Sequence, residues 1–163
     1  MRLFNSKILV LFIIPLFISC TAAPMVALMG YDTVTKRGRW LERAKSGDVY
    51  SQYELAESYC CGVGEGTHNA EEAMKWWCES ARNGYALSQL RLGTIYENKQ
   101  VMVGLPITQD LPKAYMWYKL AARRGNEDAR NNLISLESTM NKKQISEAEK
   151  LLKKWKQLPC EIN

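Results

Sequence analysis

The residues of this chain best suited to chemistry are its single histidine, its five cysteines and one glycine-rich run. His68 lies in Thr67-His68-Asn69, beside a helix start, and reads as an exposed loop residue rather than a general base. No cysteine and histidine stand together at metal-ligand spacing. Gly62-Val63-Gly64-Glu65-Gly66 lacks a preceding strand and the Lys-Ser/Thr ending with which a phosphate loop grips its anion, so it reads as a helix-breaking turn. Glu71 and Glu72 are adjacent and point different ways on a helix. They suit a helix N-terminus and do not pair for acid–base work. The residues therefore predict no catalytic site, no metal and no cofactor, and the chain is expected not to be an enzyme.

The cysteines are expected to do other work. Arg2 and Lys7 open the chain, Ile8 to Ile18 is an apolar run, and Ser19-Cys20 closes it. The run is shorter than the roughly 20 residues a spanning helix needs and has the form of an export signal. Leu16-Phe17-Ile18-Ser19-Cys20 resembles a lipobox. That resemblance implies cleavage before Cys20 and diacylglycerol on its sulfur, with a plain signal peptide cut after Ala23 as the other reading. Lipidation predicts a signal peptide over 1–19 and a tether over 20–35. It also predicts a position at the cell envelope, anchored to the outer membrane and facing the periplasm. Four cysteines remain, Cys60, Cys61, Cys78 and Cys160, which allow three pairings in an oxidising compartment. Cys78 would sit roughly 13 Å along its helix from a loop-end Cys61, and is expected to be a buried thiol.

Charge excludes one class of partner. The formal net charge of +5 includes Arg2 and Lys7, leaving +3 scattered over the rest. That is too small and too dispersed to argue for nucleic acid.

An internal repeat must position everything else. Gly47, Gly84 and Gly125 set its register, with spacings of 37 and 41. Leu55, Leu92 and Leu133 lie eight residues after each glycine, and Ala44, Ala81 and Ala122 lie three before it. Trp76 and Trp117 share an offset, as do Trp77 with Tyr118, Tyr59 with Tyr96, and Ala73 with Ala114. Each unit reads as two antiparallel helices. The first spans about Asp48–Cys61 and then Ala86–Asn98. The second runs to Gly84, and then from Asp110, with Pro112 in its first turn. Asn69 and Glu72 have capping-box spacing. A last hairpin covers about Glu127–Leu158, and residues 36–46 read as an N-terminal capping helix. Ala56, Gly93, Ala73 and Ala114 are expected where paired helices cross closely, with aromatics filling the space between neighbours.

Gly47-Asp48-Val49-Tyr50-Ser51-Gln52-Tyr53-Glu54-Leu55-Ala56-Glu57-Ser58-Tyr59 resembles the first half of a Sel-one-like repeat, a relative of the tetratricopeptide repeats. Lys113-Ala114-Tyr115-Met116-Trp117-Tyr118-Lys119-Leu120-Ala121-Ala122-Arg123-Arg124-Gly125 is similar to the second half. The resemblance covers roughly Trp40 to Trp155. It implies an all-α fold, an α-solenoid of about two to three antiparallel helical hairpin repeats. Repeats are expected over 48–84 and 85–125, with a capping hairpin over 126–158, in a domain covering 36–158.

The resemblance also implies binding of another protein, on a concave face lined by the first helices. In this register that face takes Tyr50, Tyr53 and Glu57, then Leu87, Leu90 and Thr94, then Asp128, Asn131 and Ser135. Tyr50 and Leu87 are the stronger candidates, since Tyr53 and Leu90 also fit an inter-repeat core. The expected function is a non-enzymatic protein–protein interaction module, a lipid-anchored periplasmic adaptor or regulator. An alternative is an immunity protein neutralising a secreted phospholipase-type toxin in the periplasm. A cell-envelope enzyme is a third reading, and would need a titratable cluster that the sequence does not show. The stretch Lys142 to Lys156 sets many lysines beside Leu151, Leu152 and Trp155, a pattern that fits a basic amphipathic helix on an anionic membrane or a terminal cap with a solvated face, and the cap is the preferred reading.

Overall fold

The computed structural model describes residues 37–60, 68–97 and 107–157. Cys20, the signal and tether segments, the glycine run 62–66, Cys61 and Cys160 lie outside the described residues.

Seven α-helices and one 3-10 turn account for nearly all of the described chain, with no strand among those residues. The described part of α1 covers 37–45. It is followed by α2 (Val49–Cys60), α3 (Ala70–Arg82), α4 (Ala86–Tyr96), α5 (Leu111–Ala122), α6 (Glu127–Thr139), α7 (Lys142–Lys154) and the 3-10 turn Trp155–Gln157. Helix α2 packs on α3 and α4 on α5; α3 joins the two hairpins by packing on α4, and α5 also carries α6 and α7. The chain is therefore an all-α stack of hairpins.

The three register glycines end α1, α3 and α5 in the same way. Gly47, Gly84 and Gly125 have φ of 94°, 90° and 83°, a region that side chains avoid. Each glycine N–H donates to the carbonyl three residues back. The next residue donates five back, as in Asp48 to Arg43, Tyr85 to Ser80 and Asn126 to Ala121. These two bonds form the left-handed helix ending that satisfies the last carbonyls. The residue after each glycine also begins the next helix, so one short turn both stops a helix and starts its neighbour.

Other repeated contacts fix the spacing between units. The buried Gln52 amide donates to Ala44 O at 3.1 Å, and Gln89, one repeat on, donates to Ala81 O at 2.9 Å. Each hairpin closes with a bond from the residue before its second helix, Asn69 N to Tyr59 O and Asp110 N to Tyr96 O, although the two loops differ in length. Trp77 and Tyr118, at matching offsets, are both fully buried and form the centre of the core with Leu55, Leu92, Met74 and Met116. Ala56, Gly93, Ala73 and Ala114 are all buried at the helix crossings.

Some details depart from the sequence reading. Asn69 caps α3 by accepting from Glu72 N at 3.0 Å, but the Glu72 carboxylate takes the Trp76 indole N–H at 3.1 Å instead of completing the box. The reciprocal box forms at Asn141 and Gln144, at the start of α7. Ile134 shares the repeat position of Ala56 and Gly93 yet is 62% exposed, because the helix that follows it, α7, packs on α5 rather than across α6 as α5 packs across α4. Cys78, expected as a thiol, is disulfide-bonded. The rise along one helix does not bound the distance from Cys78 to a cysteine on another segment.

Candidate binding face

The face begins at the turns between repeats. At the residue after each glycine, Asp48 accepts from Ser51 N at 2.7 Å and Asn126 accepts from Ala129 N at 2.7 Å. Both side chains cap the helix they start. The matching residue of the middle repeat is Tyr85, which makes no capping bond. Its ring lies instead 5.4 Å from Tyr53 and 6.3 Å from Tyr50, centroid to centroid. Tyr50 in turn meets Trp40 edge-on at 5.7 Å. Four aromatic rings from α1, α2 and the start of α4 thus form one continuous row.

The row is amphipathic. Tyr50 is 46% exposed and Leu87 is 40% exposed, which makes them two of the three exposed large apolar residues described. Tyr53 and Leu90 are half-buried and packed against the core. The Tyr50 hydroxyl is pushed above its ordinary range by its hydrogen bond to Glu54, while burial does the same for Tyr53 and Tyr85. All three remain neutral hydrogen-bonding tips at neutral pH.

Next to the row is a charged bridge between repeats. Glu57 on α2 accepts from Arg91 on α4 through both carboxylate oxygens, at 2.9 Å each. The same carboxylate accepts the Trp77 indole N–H at 3.1 Å. Burial opposes the charge on Arg91, but the Glu57 carboxylate outweighs it and holds the guanidinium more firmly protonated. Two charge-assisted bonds in one plane fix both rotamers. Glu57 is therefore a structural strut at the edge of the face. Thr94 is half-buried, and its hydroxyl donates to Arg91 O within its own helix at 2.8 Å.

On the last first-helix, Asp128, Asn131 and Ser135 are exposed. The structure thus leaves Tyr50, Leu87, Asp128, Asn131 and Ser135 open to solvent. It uses Glu57 and Thr94 internally and places Tyr53 and Leu90 in between. Trp40 and Tyr85 were not read from the sequence as part of this face. For Tyr85 a signal existed: it stands where the other two repeats place helix-capping residues. No group of three or more His, Cys, Asp or Glu side chains able to hold a metal occurs among the described residues. His68 is exposed, on the loop before α3.

The Sel1 repeat model matches residues 49–85 and 86–126. The crystal structure of a Sel1 repeat protein from Oxalobacter formigenes is similar at 25% identity and a TM-score of 0.52. The similarity covers 72% of this chain and 96% of that one. No curated protein matches the sequence.

Proposed function

This chain carries two Sel1 repeats, a repeat type that generally serves as a protein-interaction module, and we propose that it is a lipid-anchored adaptor or regulator that holds a partner protein on the face of Trp40, Tyr50, Tyr85 and Leu87. The observation that supports this face most strongly is Tyr85. A helix start that forgoes its capping bond gives up on the order of 1 kcal/mol, and local rules are broken most often where a surface is used. What the chain gains is a row of rings with polar tips, which is the composition of a binding centre. Anchoring through Cys20, with the domain facing the periplasm, belongs to the same proposal and rests on the N-terminal sequence pattern alone.

The test is a photo-reactive residue at position 87, crosslinked in cells that produce the tagged chain, with mass spectrometry of the adduct. A single envelope protein captured at 87, and not at the core-facing position 92, supports the adaptor reading. A secreted toxin in that adduct would make the chain an immunity protein. The absence of any adduct from abundant, folded protein would exclude this face. Anchoring is tested separately, by the mass of the mature N-terminal peptide with Cys20 intact and with Cys20→Ser.

A further inference from the structure

Helix α7 is the last α-helix among the described residues, and its two sides differ sharply. Ala148 and Leu152 are buried, while Ile145, Leu151 and Trp155 pack against the core, with Trp155 edge-on to Trp117 at 6.4 Å. The apolar side is therefore already used. The outer side carries Lys142, Lys143, Lys150, Lys153 and Lys154, with Lys156 just beyond, and all six are exposed. Glu147 is the only acidic residue on that side, because Glu149 is taken up by Lys119 and Tyr115 of α5.

Elsewhere many surface cations are matched: Lys45 with Glu42, Lys75 with Glu72, Lys113 with Asp110 and Arg130 with Glu127. None of the six lysines of this segment has a carboxylate partner among the described residues. The 13 residues of α7 form a nearly straight strip about 20 Å long.

We propose that this lysine strip is an electrostatic docking surface for an anionic lipid bilayer. Its chemistry separates that occupant from others. Lysine is a compact, strongly hydrated charge without the planar fork that arginine uses for specific pairing. Protein interfaces deplete lysine and need buried aromatic or arginine anchors, and this side of α7 exposes none. Single-stranded nucleic acid needs stacking rings, which the strip also lacks. A diffuse sheet of headgroup phosphates needs only an extended positive surface. The attraction amounts to about fivefold in affinity per lysine and is screened within about 10 Å at moderate salt. The helix lies on such a surface without inserting, since its apolar side stays in the core.

The experiment is sedimentation of the full chain with vesicles of phosphatidylglycerol and phosphatidylcholine, compared with phosphatidylcholine alone, at low and high salt. Binding through the N-terminal run, where Arg2 and Lys7 also favour anionic lipid, is common to the parent chain and its lysine variants, so the comparison between them isolates the strip. The expected result is a preference for the anionic vesicles that high salt removes. The variant Lys143→Gln/Lys150→Gln/Lys154→Gln should lower that binding about a hundredfold. Circular dichroism confirms that it folds, and Lys150→Gln alone, at about fivefold, gives the same reading if the triple variant does not. Equal binding to both vesicle types, or unchanged binding by the variants, overturns the proposal. Lysine-dependent retention on polyglutamate without vesicle preference overturns it too, and assigns the strip to an acidic protein.

Discussion

Gly93 on α4 lies flat against the ring of Tyr118 on α5, so closely that a β-carbon at Gly93 would overlap the ring atoms Cδ1 and Cε1. The matching pair of the preceding repeat is Ala56 and Trp77, both fully buried. The two hairpins therefore cross at the same place with different side chains, and the middle one has no room for a methyl group. Alanine would normally stabilise a helix by roughly 1 kcal/mol over glycine. Here overpacking, about 1–3 kcal/mol, opposes that gain. Gly93→Ala should lower the unfolding free energy in a urea titration; an unchanged or raised midpoint would show that the crossing is looser than described.

Tyr85 separates stability from binding. Tyr85→Asp restores the capping residue used at Asp48 and Asn126, worth on the order of 1 kcal/mol, and removes a ring from the row. The expected thermal midpoint is equal to or above that of the parent chain, while adduct formation at position 87 falls at least tenfold. A variant with both properties intact would mean that the missing cap has no functional reason.

The Glu57–Arg91 bridge ties two repeats together. Their side chains are about a quarter exposed, so solvent screens part of the attraction. Removing one partner leaves the other charge half-buried, and Glu57→Gln also weakens the bond to the Trp77 indole. A loss of about 1–2 kcal/mol is expected. A double-mutant cycle with Arg91→Ala should show coupling between the two sites, whereas additive losses would mean that the bridge contributes nothing beyond its separate packing.

Alkaline pH should unfold the chain earlier than its net charge alone predicts. Burial, with the Glu97 carboxylate accepting its hydroxyl at 2.6 Å, raises Tyr118 far above its ordinary range. Its folded-state value is the higher one, so its contribution is fully present below the ordinary value of 10.0 and declines above it as the unfolded chain ionises. Stability measured between about pH 9 and 12 should fall, and Tyr118→Phe should flatten part of that fall. Identical pH profiles for the two proteins would contradict the assignment.

Fold and site were not equally legible in the sequence. Gly47, Gly84 and Gly125, with the small and aromatic residues at fixed offsets, announce a repeat because each has a backbone or packing role that few other residues fill. The bridge from Glu57 to Arg91 was not legible, since its partners are 34 residues apart and Thr94 stands at the Glu57 position of the next repeat. Nor does an offset table place Tyr85 beside Tyr50 and Tyr53. It shows only that a capping residue is missing, and the ring row appears once the turn geometry is known. The disulfide of Cys78 failed on the sequence side for a related reason: distance along one helix does not bound the distance to another segment.

The central claim is that the row of rings holds a partner. It is tested most directly by in-cell crosslinking from position 87 in three backgrounds: parent, Tyr50→Ala and Tyr85→Asp. Tyr50 is substantially exposed, so its truncation should leave helicity unchanged and stability altered by less than about 1 kcal/mol. The account predicts one dominant adduct in the parent, strongly reduced in both variants at equal protein levels. An adduct of the same strength in all three would contradict it, because the partner would then be held by some surface other than this row.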